Sequence, residues 1–200
     1  MAAAKSNSSF IIWGVAIVAL LAVIAAVVIQ SAESSRSKLP QLGDVPNFIL
    51  KTADEGKFTR TDLNGRLHVV SFMFSRCQGV CPVMSANIRK MYDLYRGSDK
   101  VHFLSVSVDP DYDTPAVLKE YAKNYGVNDS RWTFATGALV DVAALIEHGF
   151  MLDASELPGN HPARLVLVDD SGQIRGYYDY NDDADLERLR ENIRTLARAM

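Results

Sequence analysis

The chain has 200 residues, 48% of them hydrophobic, a formal net charge of −3 at pH 7 and only two cysteines. That length suits one domain of ordinary size with residues left over for targeting. Lys5 is the one charge ahead of Glu33, so the remainder carries 20 basic against 24 acidic residues; without a basic cluster it has no electrostatic case for nucleic acid or for anionic lipid.

The surplus lies at the start. "FIIWGVAIVALLAVIAAVVI", Phe10 to Ile29, has no charged side chain. As a helix rising ~1.5 Å per residue it covers roughly 30 Å, enough for a bilayer core. A cleaved signal peptide is the rival reading, but its apolar region is usually only ~7–15 residues and ends at a small-x-small site. Here Ala32 could precede the cut, with the poorly matching Gln30 at −3. A retained anchor is therefore expected: 1–9 as a short cytoplasmic N-terminus and 10–29 as a single transmembrane helix. Lys5 and the α-amino group precede the span, Arg36 and Lys38 follow it, and the positive-inside count is nearly tied. Residues 30–46, "QSAESSRSKLPQLGDVP", are Ser-rich and closed by prolines. They are expected to form a flexible linker reaching about 20–25 Å, with the globular domain at 47–200.

That domain opens with two short strand-like pieces around the turn signal Asp54-Glu55-Gly56. "LHVVSFMF" (67–74) is a continuous apolar run, as a buried central strand requires. Met84, Ile88, Met91 and Tyr95 then fall at helical spacing. "VHFLSVSVD" (101–109) is a second strand, and "TPAVLKEYAKNYG" (114–126) is a helix opened by Thr114 and Pro115 and closed by Gly126. "LVDVAALIEHGF" (139–150) has a helical pattern, and "ARLVLVDDSGQIRGYYDY" is a hairpin turned at Asp170-Ser171-Gly172. Leu186, Leu189, Ile193 and Leu196 stripe a last amphipathic helix. This order is that of an α/β sandwich of thioredoxin type, with both cysteines where the first central strand feeds its helix.

Those cysteines, Cys77 and Cys81 in "CQGVCP", are separated by three residues and followed by Pro82. Proline favours the first helical position, which predicts Cys81 as N-cap with Cys77 in the loop before it. Unpaired N–H groups at the helix start, and Arg76 beside Cys77, would favour both thiolates. The pair can close a disulfide or hold one soft metal ion. A structural staple is the bland alternative, but so short a loop constrains the unfolded chain little. The third participant should be a neutral imidazole. His68 and His102 lie inside strands, and His148 sits near a helix C-terminus. His161, in a loop before the hairpin strand, is placed to face the cysteines. Two thiolates and an imidazole suit copper and also zinc, but zinc would want a fourth ligand, and no side chain is placed for one. Met73, Met84 and Met151 are better explained by packing.

"CQGVCP" resembles the C-x-x-x-C-P motif of the SCO/SenC family, copper-handling factors for cytochrome c oxidase assembly. "SVSVDPDYDTPAVLKEYAKNYG" is similar to that family's V-D-P-x-x-D-T-P-x-x-L-x-x-Y segment, "RWTFATG" to its W-x-x-x-T-G stretch, and "HPARLVLVDDSGQIRGYYD" to its His-bearing hairpin. The match covers roughly residues 44–198. The resemblance implies a thioredoxin-like domain tethered to a membrane, with copper, as Cu(I) and/or Cu(II), on Cys77, Cys81 and His161. It implies that Cys77 and Cys81 also form a disulfide. The short N-terminus leaves no room for a mitochondrial transit peptide, which gives the expected location: a bacterial inner membrane, with the domain in the periplasm. Many members carry Asp before the histidine and Ser or Thr after it, where this chain has Asn160 and Pro162. Asp109 and Asp113 are candidates for shaping the site.

The resulting expectation is a metallochaperone delivering copper to the binuclear site of a cytochrome c oxidase subunit, not a conventional enzyme. Other expected partners are a second copper chaperone or a thioredoxin-like reductase. The alternative is a thiol–disulfide reductase, with Cys77 and Cys81 as its redox pair, that keeps a partner's copper-site cysteines reduced. A peroxidase of related fold would need a Thr-x-x-Cys pattern that this chain lacks, and an inert tethered binding module is the non-catalytic reading.

Overall fold

The structure is a computed structural model describing residues 8–37, 39–159 and 161–200; for residues 8–11 and 31–37 the backbone alone is described. Most of the expected N-terminal tail, 1–7, lies outside the described residues. Helix α1, Ser8–Ser37, contains an apolar stretch, Ile12–Gln30, long enough to cross a membrane and with no part of it buried against the protein.

The α/β domain is built on one eight-stranded sheet ordered β1-β8-β7-β4-β5-β6-β2-β3. Its strands are β1 (Gly43–Asp44), β2 (Ile49–Thr52), β3 (Lys57–Thr59), β4 (Leu67–Met73), β5 (Val101–Ser107), β6 (Trp132–Thr136), β7 (Arg164–Val168) and β8 (Gln173–Asp179). β4 runs parallel to β5, and β5 to β6, while β7 is antiparallel to β4. The helices are α2 (Val80–Leu94), α3 (Pro115–Asn124), α4 (Leu139–Ala144) and α5 (Asp183–Arg198). All seven residues of β4 and of β5 are buried, because both faces of these strands are covered. On one face Leu67, Val69 and Phe103 meet Met84, Ile88 and Met91 of α2 and the Leu186–Leu189–Ile193–Leu196 stripe of α5. On the other, Val70, Phe72, Leu104 and Val106 meet Val142, Leu145, Ile146 and Phe150. The expected sandwich is present.

Local chemistry sets most boundaries. Thr114 caps α3, its Oγ1 accepting from the Val117 N–H at 3.4 Å, and Pro115 takes the first turn. Gly126, at φ +63°, follows the helix in the left-handed region that glycine tolerates. The helix expected over 139–150 is α4 only to Ala144 and then a wider π turn, Leu145–Gly149. β6 was not expected as a strand. Its five residues carry the right β-branched and aromatic types, but such a short run between turns gives little periodic signal.

The expected flexible linker is corrected at both ends. α1 continues through Ser37, and the chain is already held against the sheet from Leu39. Arg175 of β8, 1% exposed, donates from Nη2 to the Leu39 carbonyl (2.7 Å) and from Nε to the Pro40 carbonyl (2.9 Å). Leu42 and Val45 N–H groups donate to Ile174 and Gly172 carbonyls, and β1 pairs with β8. Val45 is 2% exposed, so residues 39–46 form a strap belonging to the domain.

His68 and His102 are register partners at the start of β4 and β5, with ring centroids 5.6 Å apart. Burial foremost, then the neighbouring His102 charge, holds the His68 imidazole down at about 3. Folded His68 therefore stays neutral while the unfolded chain takes up a proton below its ordinary value of 6.5. Its contribution to stability is complete above that value and is lost as the pH falls toward 3. We expect urea unfolding at pH 5 to show about 2 kcal/mol less stability than at pH 7 from this group. His68→Leu should flatten that slope; an unchanged slope would exclude His68 as the source.

Candidate metal centre

β4 ends at Met73, and the six residues from Phe74 to Gly79 carry the chain to α2. The antiparallel β7 begins at the same end of β4, which brings the preceding loop and His161 over the start of α2. Cys77, Cys81 and His161 meet there: their sulfur and ring-nitrogen atoms all lie within 4.8 Å of one another. Both cysteines are free thiols, Cys77 half-buried and Cys81 buried. His161 Nε2 stands 3.1 Å from Cys81 Sγ, and its ring packs edge-on against Phe74 at 5.5 Å. Burial pushes the imidazole below its ordinary range, giving the neutral ring that a metal ligand requires. Its Nδ1 is buried and has no hydrogen-bond partner among the described residues, from which Asn160 is missing. No carboxylate among those residues orients the ring from behind.

Cys81 does not take the expected place. Gly79 is the N-cap, and Cys81 is the second residue of α2, with Pro82 the third. Proline is tolerated anywhere in a first turn, because those N–H groups lack helical partners, so Pro82 bounds the helix start without fixing it. The two thiols consequently differ. For Cys77, burial works upward, but the Cys81, Gly79 and Val80 N–H groups outweigh it and hold the thiol below its usual range. For Cys81, burial dominates and, with the neighbouring Cys77, pushes the thiol up to about 12. The expected thiolate preference thus holds for Cys77 and fails for Cys81.

Arg76 is not the cation of this site. Its Nε and Nη2 donate to Asp109 at 2.6 and 3.2 Å, and its guanidinium lies 5.1 Å above the Tyr112 ring. Asp113, fully buried, accepts from the Ser75 N–H at 3.0 Å, from the Ser75 hydroxyl, and from the Ser107 hydroxyl at 2.5 Å. The "VDPDYD" turn after β5 therefore grips both residues that precede Cys77. Asp109 and Asp113 were legible as candidates; Ser75, Ser107 and the Phe74 wall were not, since nothing local marks them. The other sulfur and imidazole groups lie elsewhere. Met73 and Met84 are core residues, and half-exposed Met151 packs over Gly43. His148 lines a separate cleft of about 520 Å³ with Pro46, Phe48 and Ile49.

The SCO1/SenC family model matches residues 40–198. The chain belongs to the SCO1/SenC family. The SCO1 protein homolog of Bacillus subtilis is 30% identical over 95 residues, covering 47% of this chain; the chain spans about half, 49%, of that relative. Among solved structures, a SCO1/SenC lipoprotein of Bacillus anthracis is 31% identical, with a TM-score of 0.70 over 77% of this chain and 95% of that one. BsSco, a member of the Sco family of cytochrome c oxidase assembly proteins with a disulfide switch, is 22% identical, with a TM-score of 0.71 over 80% and 96%. Copper-bound ScoI of Bradyrhizobium japonicum is 22% identical, with a TM-score of 0.62 over 79% and 100%. These Sco structures share the thioredoxin-like fold of this domain.

Proposed function

We propose that this SCO1/SenC protein is a membrane-anchored copper metallochaperone. In this reading Cys77, Cys81 and His161 hold the ion and pass it to the binuclear copper site of a cytochrome c oxidase subunit. The convergence of two sulfurs and one neutral imidazole within 4.8 Å carries it. Ligands ~2.0–2.3 Å from one ion stand ~3.5–4 Å apart, so a small contraction closes the set. Two soft sulfurs and a borderline nitrogen suit copper, and three ligands leave an edge open to an incoming thiolate. Cys77, the less buried thiol, is the arm that exchanges first, while Cys81 and His161 form the anchored side. Copper in the B. japonicum relative and oxidase assembly by the Sco family support the assignment. In the same reading the apolar helix is the anchor and the domain stands on the periplasmic side of a bacterial inner membrane.

A thiol–disulfide reductase serving a partner's copper-site cysteines is the second reading, favoured by the difference between the two thiols. The test is copper stoichiometry on the reduced full-length protein in detergent. One Cu(I) per chain is expected, with none retained at micromolar concentration after Cys77→Ser or Cys81→Ser. Retention by either serine variant would remove the proposed site.

A further inference from the structure

Three aspartates of the domain are almost completely buried, and two have an arginine partner: Asp109 with Arg76 and Asp169 with Arg175. Asp113, with no exposure at all, has no cation partner among the described residues. Its oxygens are instead satisfied by Ser75, through both N–H and hydroxyl, and by the Ser107 hydroxyl. A carboxyl group placed in the interior costs stability unless its donors are fixed in position. Those donors are informative. Ser107 ends β5, a strand locked on both sides, whereas Ser75 lies in the irregular loop two residues before Cys77. The Cys77 N–H itself donates back to the Phe74 carbonyl at 3.2 Å. Asp113 thus connects a rigid strand to the loop that carries the outer sulfur.

We propose that Asp113 is a positioning residue for Cys77, holding its sulfur apart from Cys81 so that the pair remains an open dithiol able to receive a metal. The inference rests on the copper-site reading for its purpose, though not for its geometry. A disulfide needs its sulfurs at ~2.05 Å, and the loop must draw inward to reach that distance. Two of the three hydrogen bonds to Asp113, from the Ser75 N–H and hydroxyl, are made by the loop in its dithiol form, and the Ser107 hydroxyl of β5 supplies the third. Removing them frees the loop to contract, which favours the disulfide and disorganises the metal clamp together. The redox step balances simply: Cys77 and Cys81 lose two protons and two electrons, and oxidised glutathione takes both to become two molecules of the thiol.

Two measurements on the full chain in detergent test this. On metal-free protein, the Cys77–Cys81 couple is equilibrated with glutathione. Asp113→Ala should shift it toward the disulfide by at least about tenfold, equivalent to ~30 mV for a two-electron couple. On reduced protein, competition with a colorimetric Cu(I) chelator should show a comparable loss of affinity. Ser75→Ala removes one hydroxyl and retains the N–H, so it should move both quantities about threefold in a fold not in question. Asp113→Asn keeps an acceptor for the Ser75 N–H and should recover part of the loss. Leu189→Ala, in the core of α5, controls for lost stability alone and should leave the disulfide equilibrium in place. The proposal is overturned if Ser75→Ala and Asp113→Asn both stay within twofold of wild type, if the shift is toward the dithiol, or if Leu189→Ala matches it. Should wild type bind no Cu(I), the copper reading fails while the glutathione equilibrium still decides the role of Asp113.

Discussion

Replacing His161 by alanine should weaken Cu(I) binding to the reduced protein by at least about a hundredfold while leaving the Cys77–Cys81 couple able to cycle. Losing a group that merely supports a metal ligand already costs ~10–100-fold. In the proposed site His161 is itself a ligand, its Nε2 3.1 Å from the Cys81 sulfur. The substitution removes a buried ring from between Phe74 and Cys81 without touching either cysteine or the Asp113 network. It therefore separates the two functional readings. Transfer of copper needs three ligands, whereas thiol–disulfide exchange needs only the sulfurs. A strain carrying His161→Ala that still assembles its oxidase would point to the reductase. Chelator competition that finds wild-type affinity would remove the imidazole from the site.

The lopsided thiol pair refines the picture of transfer. A chaperone must hold its cargo and still release it, and equal ligands would favour one at the expense of the other. Cys77 is half-exposed and surrounded by N–H groups that stabilise its anion; Cys81 is enclosed and resists ionisation. On the proposed reading a partner's thiolate displaces Cys77 first, while Cys81 and His161 keep the ion from escaping.

What the sequence disclosed, and what it withheld, follows from the range of the interactions involved. β4 was legible because a run of buried apolar residues is itself the signal, and α3 because Thr114, Pro115 and Gly126 act on their own neighbours. His161 could be preferred to His68, His102 and His148 because a thioredoxin-type fold places the loop before its hairpin strand above the start of α2. Arg76 was misassigned because its true partner, Asp109, lies 33 residues along the chain. The strap at 39–46 escaped notice because its composition is that of a linker. What holds it is a side chain 135 residues later, and no local periodicity reports that.

That side chain has the largest expected effect on stability. Arg175 is 1% exposed and pairs with equally buried Asp169 at 2.8 Å, while its other nitrogens hold the Leu39 and Pro40 carbonyls. Arg175→Met should fill much of the volume, but it takes the guanidinium away from a buried carboxyl group and its N–H donors away from two strap carbonyls. Breaking one side of a buried pair typically costs ~3–5 kcal/mol, so urea unfolding should show a loss of that size. Asp169 keeps the Ser171 and Gln173 donors, which places the expectation at the lower end of that range. Arg175→Lys should recover only part, since a single ammonium cannot reproduce a planar fork bonded in three directions. In the double variant with Asp169→Asn the losses should sum to less than their separate values, because the second change removes the group stranded by the first. Hydrogen exchange gives the local signature: the Leu42 amide, bonded to Ile174 of β8, and the Val45 amide, bonded to Gly172 in the turn before it, should exchange faster in Arg175→Met while those of β5 hold. A loss below about 1 kcal/mol with both amides still protected would show that the strap is held by Val45 and the β1 pairing instead. Copper affinity should be untouched, since no part of the strap belongs to the Cys77–Cys81–His161 cluster. α1 ends at Ser37 and the strap begins at Leu39, so Arg175 holds the chain to the sheet within two residues of the end of α1.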